Sequence, residues 1–468
     1  MRMSRRSVVA AGPALALSGR ARGATPVESL RSRLHGRLIL PVDADYDAAR
    51  RGASFGPGED RRPAMIAQCV DADDVARAID FARRGGLPVA VKSGGHDVLA
   101  ACIAEGGMVL DLSTMARVEI DAAARTARVQ PGLRSGSFTS AAGAQGVAPV
   151  LGCNPAVGVA GLTLGGGLGW FVGRHGAACD RLLAAELVTA DGARLTASAE
   201  HNPDLFWGLR GGGGNFGVVT SLTFRLEPGA EVMGGAVGFR GDPGAFLRFY
   251  RDLMANAPRE LTVELTLSGG RPATLVAICC WSGGRQAGEQ ALEAVSAFGQ
   301  PAFGRLGPVP LQAFAVIQPP SPGLIWRGGS LDGLSDAAIE RLSAVVNDAP
   351  RSVSVGLGHF MHGAACEVAQ GATAFTRRSG QFCYFVGAGW RDPAQAGSGV
   401  AAVREAMANL APVSTESAYV NYLSRDDEGA VRSAYGAPVY RRLQALKARY
   451  DRDNVFHGNR NIRPRAAG

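Results

Sequence analysis

The chain contains the stretch Lys92-Ser93-Gly94-Gly95-His96-Asp97, in which a glycine turn leads directly into a single imidazole. Residues 88–91 before it are typical of a short buried strand, and residues 73–82 have apolar side chains at helical spacing. A strand that runs into Ser-Gly-Gly can bring its backbone N–H groups close to a phosphate. The stretch therefore predicts a phosphate-bearing cofactor that His96 also holds covalently. A plain glycine turn followed by a surface histidine is the alternative.

Length and composition predict a folded protein of at least two lobes. A chain of 468 residues exceeds what one hydrophobic core usually organises. It has 64 glycines and 25 prolines without a collagen-like period, so we expect the glycines in turns and at close backbone contacts. The eight cysteines form no Cys-x-x-Cys pair and no cluster with histidine at metal-ligand spacing, so no metal site is expected.

The formal charge of +8 does not predict a nucleic-acid partner. Apart from five arginines near the N-terminus, the basic residues are interspersed with acidic ones and form no aromatic-basic stripe. The formal charge falls to +3 without five arginines that precede the first acidic residue, namely Arg2, Arg5, Arg6, Arg20 and Arg22.

Residues 1–30 are interpreted as a possible leader. A charged start around Arg5 and Arg6 precedes an apolar run from Val8 to Leu17, as in a twin-arginine export signal. A bulkier residue than valine usually follows the arginine pair, and further arginines occupy the expected cleavage region. Export through this signal and a cytoplasmic location are both open. No later stretch is long enough to span a bilayer, so we expect a soluble protein without a membrane partner.

Two regions of different pattern follow. From Arg62 to about Leu226, short apolar runs alternate with helical stretches and glycine turns, as in an α/β unit. After Pro228 the pattern favours an antiparallel sheet flanked by helices, so the chain as a whole is predicted to be α+β. The expected strands are 234–239, 261–267, 273–280 and 383–386, and the expected helices are 287–298, 335–347 and 436–450.

Gly212-x-Gly214-x-x-Gly217 formally matches the dinucleotide fingerprint. That fingerprint must open a helix, whereas residues 218–224 are typical of a strand. A nicotinamide cofactor on a Rossmann unit is therefore not expected.

Seven motifs between Asp43 and Pro464 together indicate a family. They are Ser93-Gly94-Gly95-His96, Val157-Gly158-x-x-Gly161-x-x-Leu164-Gly165-Gly166-Gly167-x-Gly169, Asp204-Leu205-Phe206-Trp207, Arg210-Gly211-Gly212-Gly213, Asn215-Phe216-Gly217-Val218-Val219-Thr220, Tyr419-Val420-Asn421-Tyr422 and Asn459-Arg460-Asn461-Ile462-x-Pro464. In this order and spacing the chain resembles the berberine bridge enzyme-like flavoproteins. These belong to the PCMH-type, or vanillyl-alcohol-oxidase, FAD superfamily.

The resemblance implies a division of the chain and a set of FAD-binding residues. It places a PCMH-type FAD-binding domain at 31–226, a substrate-binding domain at 227–411, and a segment at 412–468 that completes the FAD-binding domain. The residues that it places at FAD are Lys92, Ser93, Gly94, Gly95, His96, Asp97, Asn154, Val157, Gly158, Gly161, Leu164, Gly165, Gly166, Gly167, Gly217, Val219, Asn459 and Asn461.

The resemblance also implies covalent attachment. His96 matches the histidine that relatives link to the flavin 8α-methyl group, which prevents cofactor loss and makes the ring a stronger oxidant. Many relatives add a second link from a cysteine, but Asn154 occupies that place here and Cys153 lies one position early. Because a one-residue displacement turns a side chain away, we expect a single link through His96.

Tyr422 matches the family's catalytic base, and the resemblance gives Asn421 the role of orienting the flavin or the tyrosine. A phenol titrates near 10, so we expect a cation or hydrogen-bond donors beside Tyr422. A tyrosine packed in the core is the alternative interpretation for Tyr422, and packing is the expected role of Tyr419.

A middle-lobe motif of the family ends in His-Arg, and in this chain Arg377 replaces that histidine. We expect this fixed charge near the flavin side of the lobe. His359 and His362 could line the substrate pocket but should face different ways. The remaining histidines are interpreted as surface or capping residues, namely His35, His175, His201 and His457.

The resemblance implies a covalent FAD-dependent oxidase for a small-molecule alcohol, with Tyr422 taking the hydroxyl proton, hydride passing to flavin N5, and molecular oxygen giving hydrogen peroxide. Val157 matches a gate residue whose small size goes with oxygen access. A dehydrogenase, or an oxidative cyclase acting on an amine or natural product, is the alternative enzyme. The alternative outside the enzymes is a protein that binds flavin but catalyses no reaction.

Overall fold

The computed structural model describes residues 25–51, 60–97, 99–229, 231–313, 323–358, 360–415, 418–423, 428–458 and 460–465. The predicted leader up to residue 24 and the predicted sites His359 and Asn459 lie outside the described residues.

Helices and strands alternate along the described residues. The helices are α1 Pro26–Arg33, α2 Tyr46–Ala49, α3 Ala72–Arg84, α4 Ser135–Gly143, α5 Val159–Leu164, α6 Val172–His175, α7 Pro203–Leu209, α8 Pro243–Ala255, α9 Arg285–Ser296, α10 Asp336–Asp348, α11 Ala364–Glu367, α12 Ala396–Leu410 and α13 Glu428–Tyr450. The strands are β1 Arg37–Ile39, β2 Met65–Gln68, β3 Val89–Lys92, β4 Met108–Asp111, β5 Val118–Asp121, β6 Thr126–Val129, β7 Val147–Pro149, β8 Leu182–Val188, β9 Arg194–Ser198, β10 Val218–Pro228, β11 Glu231–Gly241, β12 Leu261–Ser268, β13 Ala273–Trp281, β14 Phe303–Pro310, β15 Gly323–Leu331, β16 Val353–Gly358 and β17 Phe382–Trp390.

The first lobe is built on two sheets. The smaller sheet has the order β1-β2-β4-β3, and β4 is parallel to both β2 and β3. The larger sheet has the order β5-β6-β10-β8-β9, with β7 also paired to β10, and its pairings are antiparallel. The strand β10 starts directly after Gly217, so the expected strand after the formal dinucleotide fingerprint is confirmed.

Helix α3 shows how local sequence fixes the smaller sheet. The Asp71 side chain accepts a hydrogen bond from the Asp74 backbone and caps the helix N-terminus. Apolar residues at helical spacing then face the sheet and are fully buried in its core, namely Val75, Ala78, Ile79 and Ala82. The chain leaves this helix for β3, which delivers the glycine turn to the edge of the lobe.

Helix α1 also belongs to this core, although its first residues fall within the segment 1–30 that was interpreted as a leader. Thr25 and Glu28 form a capping box at its start, and Leu30 is fully buried. Across the described residues, no helix combines the length and apolar character needed to cross a membrane.

The second lobe is a seven-stranded sheet in the order β14-β11-β13-β12-β16-β17-β15. All its pairings are antiparallel. Side chains alternate between its two faces, as the pleat requires. In β12, Val263 and Leu265 pack into a core with helices α8, α9, α10 and α12, whereas Thr262 on the other face donates to the Trp170 carbonyl of the first lobe. The second face of this sheet therefore faces the first lobe. The α+β prediction is confirmed.

The C-terminal segment returns to the first lobe. Val431, Leu443 and Ile462 join its core. The ammonium of Lys447, fully buried, donates to the Asp451 carboxylate at 2.6 Å and to the carbonyls of Asn215 and Phe456. A buried ion pair persists only with such additional hydrogen bonds, so this cluster fixes where the terminal turn lies.

Two glycines bring the turn after β3 against the loop before α5. A Cβ atom on Gly94 would lie 2.4 Å from the Gly158 nitrogen, and one on Gly158 would lie 2.5 Å from the Gly94 nitrogen. Neither loop could approach the other if either position carried a side chain. By contrast, a Cβ on Gly161, in helix α5, meets nothing within 4 Å among the described residues.

We expect Gly94→Ala to destabilise the holoprotein by about 1–3 kcal/mol, because the new methyl group overlaps backbone that cannot rotate away. Gly397→Ala is the matched control, because Gly397 is exposed in helix α12 and an added Cβ meets nothing within 4 Å among the described residues. It should cost nothing or stabilise by up to about 1 kcal/mol, since alanine favours the helix. Urea denaturation followed by tryptophan fluorescence measures both. Equal midpoints for the two variants would contradict the close backbone contact.

Candidate active site

The cavity between the two lobes is lined by nine of the 18 residues predicted to bind FAD. Its volume is about 270 Å³, near the lower end of the roughly 300–1,000 Å³ range of small-molecule pockets. Among the predicted residues, those that line it are Ser93, Gly94, Gly95, His96, Asp97, Asn154, Val157, Gly158, Gly161, Asn421 and Tyr422.

The other predicted cofactor residues lie outside this lining. Lys92 donates to the Ala49 carbonyl at 2.6 Å and faces Asp111. Gly217 packs against the Val188 carbonyl, and Val219 is buried in the first-lobe core. The remaining described residues of this group are Leu164, Gly165, Gly166, Gly167 and Asn461.

The glycine run 165–167 makes room for protein atoms. A Cβ on Gly165 would lie 2.0 Å from the Asn421 amide oxygen, and a Cβ on Gly166 would lie 2.6 Å from the Phe375 ring. The Cβ of Ala178 occupies the space beside Gly167. The predicted role of these glycines was close approach to FAD, whereas the contacts that require glycine here are with the protein itself.

His96 lies on the cavity wall beside an ion pair. Burial lowers the pKa of His96, and the charge of Arg134 lowers it further, so its imidazole is neutral at neutral pH. The next residue, Asp97, accepts from the backbone N–H groups of Leu99 and Ala101 and pairs with Arg460. The C-terminal segment therefore contacts the turn that holds His96.

Cys153, which lies one position before Asn154, also lines the cavity. Its Sγ lies 3.0 Å from Oε1 of Glu264 on strand β12. Burial raises the pKa of Cys153 well above its usual range, and the Glu264 carboxylate adds to this, so the thiol stays protonated and donates. The Asn154 side chain instead accepts a hydrogen bond from the Ala156 backbone.

Tyr419 and Asn421 are joined by hydrogen bonds. The Asn421 amide donates to the Leu162 carbonyl at 3.0 Å and to the Tyr419 hydroxyl at 2.9 Å. That hydroxyl also accepts from the Gly167 backbone. Packing alone, the role predicted for Tyr419, is therefore incomplete, because the residue anchors Asn421 and lines the cavity.

Tyr422 lies in the 3₁₀ turn Val420–Tyr422, at the end of the cavity nearest the second-lobe sheet. Its ring makes an edge contact with Trp326 at a centroid distance of 5.3 Å. Burial raises the pKa of Tyr422 well above its usual range, and the Glu264 carboxylate raises it further. A carboxylate near Tyr422 was not expected from the sequence, which predicted a cation or hydrogen-bond donors beside it.

Sequence reasoning missed Glu264 and the aromatic residues Trp326 and Phe385, all of which line the cavity from the second-lobe sheet. The alternation of β12 placed Thr262, Glu264 and Thr266 on one face. The sequence could not tell which face of this sheet meets the first lobe.

Other residues singled out from sequence lie elsewhere. His362 stacks on Phe360 and approaches Gly173 outside the cavity lining. Arg377 is buried and donates to Ser330 at 2.8 Å. His175, expected to be a surface or capping residue, lies at the end of α6 with its side chain mostly buried, and this burial lowers its pKa to about 4.

One group of possible metal ligands occurs among the described residues, namely His35, Asp71 and Asp74. Its carboxylates already serve the backbone: Asp74 accepts from the N–H groups of His35 and Gly36, and Asp71 caps α3. The group therefore stabilises a helix start and the adjoining loop.

Two family models match segments of the chain that line the cavity. A family model described as FAD binding domain matches residues 63–198, and one described as berberine and berberine like matches residues 418–463. These segments carry the turn with His96 and the turn with Tyr422. Both segments form one wall of the cavity.

Curated relatives and solved structures are also similar. The chain is 41% identical to (R)-6-hydroxynicotine oxidase of Paenarthrobacter nicotinovorans over 194 residues, which are 41% of this chain and 42% of that protein. It is 29% identical to an FAD-linked oxidoreductase of Bacillus subtilis over 93% of this chain and 98% of that protein.

The structure of 6-hydroxy-D-nicotine oxidase from Arthrobacter nicotinovorans superposes with a TM-score of 0.87 at 26% identity, over 95% of this chain and all of that one. Three findings agree on the kind of protein. Family models match both segments of the FAD lobe, an FAD-linked relative is similar over nearly its full length, and the architecture is shared. The chain is therefore an FAD-dependent oxidoreductase with an FAD-binding domain and a berberine-bridge-like segment, and it is similar to the berberine bridge enzyme-like, PCMH-type flavoproteins.

Proposed function

We propose that the protein is a covalent FAD-dependent oxidase that removes a hydride from a carbon bearing a hydroxyl or an amino nitrogen of a small molecule. The observation that carries this proposal is one cavity that joins His96 and its glycine turn to Tyr422 and the second-lobe sheet. Bound FAD would supply the hydride acceptor at N5, and its reoxidation by oxygen would give hydrogen peroxide.

His96 would hold the flavin 8α-position. A neutral imidazole nitrogen is the form able to make such a bond, and burial keeps His96 neutral. Asn154, in the place of the second attachment residue, supports a single link. Cys153 also lines the cavity, but its protonated thiol is occupied with Glu264.

We expect the flavin to remain with the polypeptide after acid denaturation of the wild-type protein, because a covalent bond survives unfolding. His96→Ala should release the flavin into the acid supernatant. His201→Ala, which changes an exposed histidine, is the control and should retain it. Free flavin from the wild-type protein would refute the attachment, and peptide mass mapping that finds flavin on Cys153 would refute the single link.

Tyr422 would contact the reacting group of the substrate and accept its proton. Asn421 and Tyr419 position the turn that carries it through hydrogen bonds to the first lobe. Because the pKa of Tyr422 is raised, its phenolate is scarce at neutral pH and becomes more abundant as pH rises. Flavin reduction should therefore accelerate with pH through the neutral and alkaline range.

Tyr422→Phe should slow anaerobic flavin reduction by substrate about a hundredfold to ten-thousandfold, since it removes a proton acceptor but keeps the ring. It should also abolish the rise of the rate with pH. Tyr450→Phe, outside the cavity lining, is the control and should preserve both. Stopped-flow absorbance measures them, and an unchanged pH profile in Tyr422→Phe would assign the proton acceptor to another residue.

Oxygen is the proposed electron acceptor. Val157 lines the cavity beside the turn that carries His96, where the family's gate residue would lie. In a close-packed wall, one additional methylene is enough to close the path of a diatomic molecule.

Val157→Leu should slow reoxidation of the reduced protein by oxygen and leave anaerobic reduction nearly unchanged. Rapid mixing of the reduced protein with oxygenated buffer, with peroxide counted per turnover, measures this step. Reoxidation of the wild-type protein over minutes would favour a dehydrogenase that uses another acceptor. A panel of alcohols and amines that never bleaches the flavin would favour a binding protein.

An amine substrate is the second candidate within this reaction class. The similarity to the 6-hydroxynicotine oxidases favours it, because the molecule in their names contains an amino nitrogen.

A further inference from the structure

We propose that the hydroxyl of Tyr419 donates a hydrogen bond to the flavin ring in the cavity and so raises the reduction potential of the bound FAD. This inference goes beyond the proposed function, because it requires bound FAD but neither the oxidase reaction nor a particular substrate. Its basis is a buried donor for which the described part of the chain supplies no acceptor.

The hydrogen bonds of the Tyr419 hydroxyl leave one proton unused. A tyrosine hydroxyl has one proton to donate and two lone pairs that accept. The Gly167 backbone N–H and the Asn421 amide each donate to the Tyr419 oxygen at 2.9 Å. Both lone pairs are therefore occupied, and the proton of Tyr419 is directed elsewhere.

The Asn421 amide cannot be turned to accept this proton. The same amide nitrogen also donates to the Leu162 carbonyl at 3.0 Å, and a carbonyl oxygen can only accept. The orientation of the amide is therefore fixed by Leu162, independently of Tyr419. In the contact between Asn421 and Tyr419, the tyrosine oxygen is the acceptor.

The surroundings of Tyr419 are apolar except for these two donors. Tyr419 is 2% exposed, it belongs to a buried cluster with Leu168, and its ring meets the edge of the Phe375 ring at a centroid distance of 6.1 Å. A buried donor without an acceptor costs about 1–3 kcal/mol. Because Tyr419 lines the cavity, a molecule bound there can supply the acceptor.

Tyr419 is suited to donate a hydrogen bond and not to act as a base. Burial raises the pKa of Tyr419, although the hydrogen bonds from Gly167 and Asn421 oppose this effect. The hydroxyl therefore keeps its proton at neutral pH. The role differs from the one proposed for Tyr422, which is to accept a proton.

The groups that hold the Tyr419 hydroxyl both belong to the FAD lobe. Gly167 lies in the segment 63–198 that the FAD binding domain model matches, and Asn421 lies in the matched segment 418–463. The flavin ring is therefore the acceptor that fits this donor best. Reduction increases the negative charge on the flavin, and a hydrogen bond to a charged acceptor is stronger. The donor thus stabilises reduced flavin relative to oxidised flavin.

The test measures the midpoint potential of the flavin in the holoprotein without substrate. Tyr419→Phe keeps the ring and removes the donor. We expect the ratio of reduced to oxidised flavin at a fixed potential to fall about tenfold, which corresponds to a decrease of about 30 mV for a two-electron couple.

Tyr435→Phe is the matched control. It removes another buried tyrosine hydroxyl of the same lobe, which donates to the Gly211 carbonyl at 3.0 Å outside the cavity lining. We expect this variant to leave the flavin potential unchanged.

A second variant separates donation from support of the loops, because Tyr419→Phe also leaves the donors of Gly167 and Asn421 without their acceptor. A ring-fluorinated tyrosine in place of Tyr419 keeps the oxygen but makes the hydroxyl a stronger donor. It should raise the flavin potential, whereas Tyr419→Phe lowers it. Loss of structural support alone would shift both potentials in the same direction.

An unchanged potential in Tyr419→Phe, or shifts of the same sign in the two variants, would overturn the inference. These outcomes differ from failure of the proposed oxidase. A flavin released by acid, or one that oxygen does not reoxidise, would refute the proposed function while its midpoint potential stays measurable.

Discussion

The ion pair between Asp97 and Arg460 joins parts of the chain that lie 363 residues apart. Asp97 follows the histidine of the glycine turn, and Arg460 lies in the terminal segment, where it also donates to the Leu423 carbonyl. Asn215 holds the same segment through the Arg460 carbonyl and the Ile462 backbone N–H. The first-lobe wall of the cavity is therefore complete only when the end of the chain has returned to it, and Tyr422 takes its place in that return.

A second constraint is the two-sided burial of the seven-stranded sheet. One face packs on helices and forms a large apolar core, so the other face is available to cover the first lobe. Because successive residues alternate, each cavity residue is held by a neighbour in the core, as Glu264 is held by Val263 and Leu265. Residues on the cavity face of such a sheet can change while the apolar core on its other face continues to stabilise it.

The sequence was sufficient for the features that depend on local periodicity. The expected strand at 261–267 is observed as Leu261–Ser268, and the expected helix at 335–347 is observed as Asp336–Asp348. The exclusion of the Rossmann fingerprint was also a local argument, since a strand and a helix differ in period.

Features that depend on which surfaces meet could not be predicted in the same way. A glycine in a motif indicates close approach but not the approaching partner, so Gly94, which contacts Gly158, and Gly166, which contacts Phe375, looked alike in sequence. Glu264 was not found because its importance arises from the packing of one lobe on the other. For the same reason the influence of the Glu264 carboxylate on the pKa of Tyr422 was not expected.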